Sequence, residues 1–151
     1  MRIESLEIKK LHNTFDYNVR FNSDLTFLYG TNGCGTTTIL NIIESIVSGR
    51  IYDLYDWAFE KIRLTYCDND SEVENTQPIL ISYNNENLCV TFKGNNRTIK
   101  KDDFIRCYDD ADSYEDIFHI MVSKYSFLYE IKKEFNYVYL PLNRNAANTA
   151  N

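Results

Sequence analysis

The sequence predicts an α/β fold, and a strand followed by a helix is the main reason. Residues 24–29 are largely apolar and rich in side chains that favour strands, as expected of a buried strand. Residues 37–48 carry apolar side chains at helical spacing, and Gly49 follows as a helix stop. Three glycines lie between the two elements. We therefore expect the strand to run through a glycine-rich loop into the helix N-terminus.

Further strands are predicted on both sides of this unit. Two segments before the loop have strand character and short turns, so antiparallel strands should precede it. A convincing hairpin is expected where two alternating segments flank Asn84–Asn87. The predicted strands are 2–9, 16–21, 62–66, 78–83, 88–93, 97–100 and 137–140.

The remaining segments are predicted as helices, loops and a tail. Residues 51–61 are expected to form a short helix or an irregular packed segment, and residues 113–134 one or two helices with an N-cap at Ser113. Residues 67–76 are polar and acidic, as is typical of a loop. The acidic pairs 102–103 and 109–110 are expected in solvated turns, and His119 is expected to pack within its helix.

The glycine-rich interval carries the strongest functional signal. From Gly30 it has the sequence G-T-N-G-C-G-T-T-T, which fits the phosphate-binding pattern G-x-x-x-x-G-K-S/T except that Thr36 replaces the lysine. Glycines let backbone N–H groups close around phosphate oxygens, and the helix N-terminus adds partial positive charge. Thr37 is positioned to offer its hydroxyl to Mg²⁺. The predicted nucleotide-binding residues are Gly30, Thr31, Asn32, Gly33, Cys34, Gly35, Thr36, Thr37 and Thr38.

The missing lysine changes what the loop is expected to do. Loss of one preorganised donor typically lowers turnover by about 10²–10³, while backbone amides, the helix dipole and Mg²⁺ can still hold a nucleotide. The pattern predicts ATP or GTP as ligand without deciding between them. It also leaves open whether Thr36 is natural divergence or an engineered change.

The loop with its helix, G-T-N-G-C-G-T-T-T-I-L-N-I-I, resembles the G-x-N-G-x-G-K-T-T-x-L-x-x-I form of ATP-binding-cassette-type ATPases. The closest likeness is to the branch that includes structural-maintenance-of-chromosomes heads, RecF and the overcoming-lysogenization-defect nucleases. Residues 1–13 are similar to the opening strand of those heads, and residues 139–144 to the segment before their lobe junction.

This resemblance implies a P-loop NTPase fold, the N-terminal lobe of such a head, with a mixed sheet and an antiparallel β patch. Residues 1–144 would form the lobe and residues 145–151 a disordered tail. The turn at His12 and Asn13 would touch the nucleotide. The implied partners are a C-terminal lobe or a second head, as a homodimer, with DNA contacted through partner segments in bacterial DNA repair or phage defence.

Two motifs of a complete head are missing from the sequence. It contains no Ser-Gly-Gly signature and no apolar strand that ends in adjacent acids. Hydrolysis by this chain alone is therefore not expected. The alternative is a non-catalytic module that senses nucleotide or serves assembly.

Composition limits the other function classes. The net charge of −6 and the pI of about 4.9 argue against a strong grip on a nucleic-acid backbone by this chain alone. Four cysteines without C-x-x-C spacing favour neither zinc nor a disulfide framework, and they suit a reducing cytoplasm. Since no apolar run approaches the length of a membrane span, no membrane partner is expected.

Overall fold

In the described residues of the computed structural model, six strands form an antiparallel sheet. The structure describes residues 2–21, 33–67 and 77–135, with the backbone alone for 33–36. The strands lie in the order β2-β1-β3-β4-β5-β6. They are β1 (Arg2–Leu11), β2 (Phe15–Arg20), β3 (Lys61–Cys67), β4 (Ile79–Asn84), β5 (Asn87–Phe92) and β6 (Asn95–Ile99).

Helices connect the strands and follow them. A long helix precedes β3, and a 3₁₀ helix at Ile51–Asp56 lies between the two. Three shorter helices come after β6. The helices are α1 (Gly33–Val47), α2 (Lys101–Asp110), α3 (Tyr114–Lys124) and α4 (Phe127–Glu134). None of the helices in the described ranges is long and apolar enough to cross a bilayer.

The core lies between one face of the sheet and the helices. In β3 the side chains alternate, so that Ile62 and Leu64 are fully buried while Lys61 and Arg63 are exposed. The buried strand residues join one apolar cluster with the inward face of α1, where Ile42, Ile43 and Ile46 are completely buried. The opposite face of the sheet carries mostly polar side chains.

The predicted mixed sheet of a P-loop NTPase is wrong, because all five strand pairings among the described residues are antiparallel. Three of them, β1–β2, β4–β5 and β5–β6, join strands that are connected by short turns, and such turns favour antiparallel pairing. The β4–β5 hairpin turns at Asn85 and Glu86, both with positive φ. The predicted strands 24–29 and 137–140 and the tail 145–151 lie outside the described residues, as does most of the loop 67–76.

The acidic pairs 102–103 and 109–110 lie in α2 rather than in turns. Phe104 and Cys107, three residues apart, turn inward, and Cys107 is buried. Carboxylates in the first turn are favourable next to the positive end of the helix. His119 is exposed on α3, so its predicted packing is wrong as well.

Candidate functional site

The N-terminus of α1 lies inside the phosphate-loop motif. The helix begins at Gly33, four residues earlier than the sequence predicted, and runs to Val47. The first four N–H groups of any α-helix have no acceptor within the helix. In α1 these N–H groups belong to the motif itself, at residues 33–36.

The first turn of α1 contains no acidic residue. The other described helices all carry at least one carboxylate in that position, for example Asp102 and Asp103 in α2 and Glu115 and Asp116 in α3. A carboxylate there would neutralise the positive end of the helix dipole and repel an anion. The start of α1 therefore keeps the electrostatic character that a phosphate requires.

Apolar packing fixes the direction of α1. Ile39, Ile42 and Ile46 are buried on its inner side, whereas Thr37 and Asn41 are exposed. From residue 37 onward the helix is therefore anchored in the core on one side and exposed on the other.

Gly49 fixes the other end of α1. Its φ of +79° lies in the left-handed region, and its N–H donates to the carbonyl of Ile46 at 3.1 Å. A Cβ at this position would lie 2.4 Å from the carbonyl oxygen of Leu128 in α4. Only glycine therefore allows this close contact between the end of α1 and α4.

The structure describes the predicted loop only in part. Gly30, Thr31 and Asn32 lie outside the described residues, and Gly33, Cys34, Gly35 and Thr36 are described as helix backbone without their side chains. Thr37 is exposed and Thr38 is half-buried. The predicted roles of these side chains toward phosphate and Mg²⁺ remain predictions.

The predicted contact turn at His12 and Asn13 has an unusual backbone. Both residues have positive φ, 56° and 62°, as does Lys10 at 60°. The N–H of His12 donates to the carbonyl of Ala58 at 2.8 Å, and that of Asn13 to the carbonyl of Lys10 at 2.9 Å. This hydrogen bonding joins the turn to the segment after the 3₁₀ helix. The resemblance implied that His12 and Asn13 contact the nucleotide, and this contact remains a prediction.

An open cleft of about 570 Å³ lies beside this turn. Asn13 contributes to one side of the cleft, and residues 55–59 after the 3₁₀ helix contribute to another. Tyr83 of β4 also lines the cleft, together with the charged residues Glu86 and Lys101. Trp57, the only tryptophan in the chain, lies within the 55–59 segment.

Two tyrosine hydroxyls hold the aromatic part of the cleft in place. The Tyr83 hydroxyl contacts the carbonyls of Leu54 and Trp57 at 2.9 and 2.8 Å. The Tyr55 hydroxyl donates to the carbonyl of Ile99 and accepts from the N–H of Leu88. Burial raises the pKa of both phenols to about 12, so both stay protonated donors at neutral pH.

Sequence reasoning missed this aromatic group. Residues 51–61 gave a weak helical pattern, and Tyr83 only a position in a hairpin strand. Trp57 and Tyr83 are 26 residues apart and meet only in the folded chain. A contact between residues so far apart in the chain leaves no periodic pattern in the sequence.

A second cavity, of about 700 Å³, lies near the C-terminal end of α1. Its lining combines Arg50 with residues of α3 and α4, including the exposed rings of Tyr114 and Tyr129. The ammonium of Lys132 lies 4.7 Å from the ring centre of Phe118 and so makes a cation–π contact there. This cavity contains none of the predicted site residues.

Within the described ranges, no three histidine, cysteine, aspartate or glutamate side chains come together in a way that could hold a metal ion. The Mg²⁺ ligand predicted from the sequence, Thr37, stays a prediction.

No protein-family model matches the chain, and no curated protein is significantly similar to it. The features that point to a function are therefore the glycine-rich motif and the start of α1.

Proposed function

We propose that this protein binds a nucleoside triphosphate with Mg²⁺ at the N-terminus of α1 and does not hydrolyse it unaided. The observation that carries the proposal is the start of the helix at Gly33, within a glycine-rich phosphate motif, with no carboxylate in the first turn. Backbone amides at a helix start are well suited to phosphate oxygens. The exposed Thr37 would supply the hydroxyl for the metal.

Thr36 makes this site weak. A lysine at its position would add a point charge at the β- and γ-phosphates, and hydrogen bonds to charged groups contribute roughly 1.5–3 kcal/mol. We therefore propose a site that holds the nucleotide mainly through amides, helix dipole and Mg²⁺. ATP is the nucleotide that the loop's likeness to cassette-type ATPases favours, with GTP as the competitor to test.

Catalysis would need groups from outside this chain. Phosphoryl transfer requires an acid that holds the metal and a residue that orients the attacking water. In this proposal a C-terminal lobe or a second head, as in the ATPases that the loop resembles, supplies both. The same partner segments would carry any contact with DNA, in bacterial DNA repair or phage defence.

The alternative proposal is a module that binds nucleotide to signal or to assemble and never hydrolyses it. Thr36 favours this alternative, since it preserves the amide cradle and removes the side chain that catalysis uses. A catalytic complex with a partner would turn over ATP, whereas a sensing module would bind ATP and change its assembly state without turnover.

Calorimetry with Mg·ATP tests the proposed site. Thr36→Lys should bind about tenfold or more tightly than the unmodified chain, because one charge-assisted contact is restored. Thr37→Ala should lose the dependence of binding on Mg²⁺. Mg·GTP titrated into the same proteins decides between the two nucleotides.

Asn41→Lys is the matched control. It places the same charge on the same helix, at an exposed position more than one turn beyond Thr36. It should change ATP affinity little. Equal affinities for the unmodified chain, Thr36→Lys and Asn41→Lys would show that the loop is not a nucleotide site.

A further inference from the structure

The outer edge of β2 has no partner strand within the described part of the chain. β2 is the first strand in the sheet order and pairs with β1 on one side. Its sequence, Phe-Asp-Tyr-Asn-Val-Arg, contains no proline, which would remove an outward N–H, and its two charged residues, Asp16 and Arg20, are of opposite sign. The edge is therefore able to accept a further strand.

The hydrogen bonds to β1 decide which residues of β2 face outward. The N–H of Phe21 donates to the carbonyl of Glu4 at 2.8 Å. Backbone groups of successive strand residues point alternately to the two sides. Tyr17 and Val19 therefore bond to β1, whereas the N–H and C=O groups of Asp16, Asn18 and Arg20 point to the free edge.

The side chains of β2 are arranged symmetrically about Asn18. Asp16 and Arg20, of opposite charge, lie two residues to either side of it and on the same face of the sheet. Tyr17 and Val19 lie one residue to either side, half-buried on the other face. Such a strand is complementary to itself when it is turned end to end.

We infer that β2 pairs with β2 of a second copy of this chain, antiparallel and centred on Asn18. The two Asn18 residues then lie opposite each other, and each Asp16 lies opposite Arg20 of the second copy. Each Tyr17 likewise lies opposite Val19. Oppositely charged pairs and aromatic pairs with β-branched residues are both favourable across antiparallel strands.

The backbone supports the same register. Each outward-facing pair exchanges two N–H···O=C bonds in an antiparallel ladder, and three such pairs form: Asn18 with Asn18 and, twice, Asp16 with Arg20. The two sheets then continue as one. The interface obeys a two-fold axis, as most homodimers do.

Charge does not oppose this pairing. The chain carries a net charge of −6, but Asp16 and Arg20 cancel along the edge itself. One oxygen of Asp16 accepts the N–H of Lys10 at 2.9 Å, and the other oxygen remains to meet Arg20 of the second copy. Because one strand pair buries little surface, the dimer should be weak and concentration-dependent.

Sedimentation equilibrium over a range of protein concentrations tests the inference. The unmodified chain should show a monomer–dimer equilibrium. The proposed dimer contains two pairs of Asp16 with Arg20 of the other copy. The substitution Arg20→Asp turns both pairs into aspartate with aspartate, and Asp16→Arg turns both into arginine with arginine. Each variant alone should dimerise at least tenfold more weakly.

An equimolar mixture of Arg20→Asp and Asp16→Arg restores both charge pairs between unlike chains. The mixture should therefore associate about as well as the unmodified chain, although each variant alone dimerises at least tenfold more weakly. Asn18→Pro is a backbone test, because it removes an outward N–H while the bonds to β1 remain. It should give a monomer with unchanged circular dichroism.

Two outcomes would overturn the inference. One is an unmodified chain that is monomeric at every concentration. If amide exchange then shows that residues 16, 18 and 20 are protected in the monomer, another part of the same chain covers the edge. The other is a dimer that Arg20→Asp and Asn18→Pro leave equally stable. Urea unfolding of each variant separates loss of pairing from loss of folding.

Discussion

Gly49→Ala should lower the free energy of unfolding by about 2–5 kcal/mol. The left-handed backbone at φ +79° costs a residue with a Cβ about 1–2 kcal/mol. The added Cβ would also lie 2.4 Å from the carbonyl oxygen of Leu128 and 3.3 Å from Cβ of Lys132. Since the nearer atom belongs to the backbone of α4, the helix must move, and overpacking of this kind costs about 1–3 kcal/mol.

Gly94→Ala is the matched control for this prediction. Gly94 has nearly the same φ, +77°, but its added Cβ would meet only the end of the flexible Gln77 side chain, at 3.1 Å. It should cost about 1–2 kcal/mol, for the backbone conformation alone. The difference between the two variants measures the contact between the end of α1 and α4.

Urea unfolding followed by circular dichroism measures both values, with an unchanged m-value required for a valid comparison. Equal losses for Gly49→Ala and Gly94→Ala would refute the close contact between Gly49 and α4. A Gly49→Ala protein as stable as the unmodified chain would refute the left-handed helix end as well.

Three further outcomes are expected. Thr36→Lys protein should hydrolyse no ATP above background, because no apolar strand predicted from the sequence ends in the adjacent acids that hold the metal and orient water. Turnover that stays with the protein through successive purification steps would contradict this. Ser113→Ala should cost about 1 kcal/mol in urea unfolding, since the Ser113 hydroxyl caps α3 by accepting a backbone N–H at 3.2 Å. Burial raises the pKa of Tyr55, Tyr66 and Tyr83 to about 12. Because these phenols lose their protons at a lower pH in the unfolded chain than in the folded protein, the free energy of unfolding should fall as the pH rises from 10 to 12. Tyr83→Phe should make that fall shallower in urea titrations at pH 9 and 11, and an unchanged slope would contradict the buried phenol.

The elements that the sequence predicted correctly have strong local signals. The hairpin of β4 and β5 was predicted because two alternating segments flank an asparagine-rich turn, and its turn residues Asn85 and Glu86 adopt positive φ. α1 was predicted from apolar spacing, although it begins at Gly33 rather than at residue 37. Residues 113–134 form two helices, one of the outcomes expected, with Ser113 as the cap of α3.

The errors occur where long-range contacts decide the structure. α2 was missed because Phe104 and Cys107 supply only a short apolar stripe among charged residues. The helix is held by packing against α3 and against the 3₁₀ helix, which is distant in the sequence. The predicted mixed sheet depended on the resemblance of one loop, and a loop does not specify how strands pair. The aromatic cleft needs Trp57 and Tyr83 to meet across 26 residues, which no periodicity encodes.

The position of Trp57 gives the protein a built-in optical reporter. As the only tryptophan in the chain, it provides the whole of the indole emission, and its carbonyl accepts the hydrogen bond of Tyr83. The next residue, Ala58, accepts the N–H of His12. Any ligand or partner that moves the His12 turn therefore acts on the residue next to the indole, and steady-state fluorescence can follow that movement without an added label.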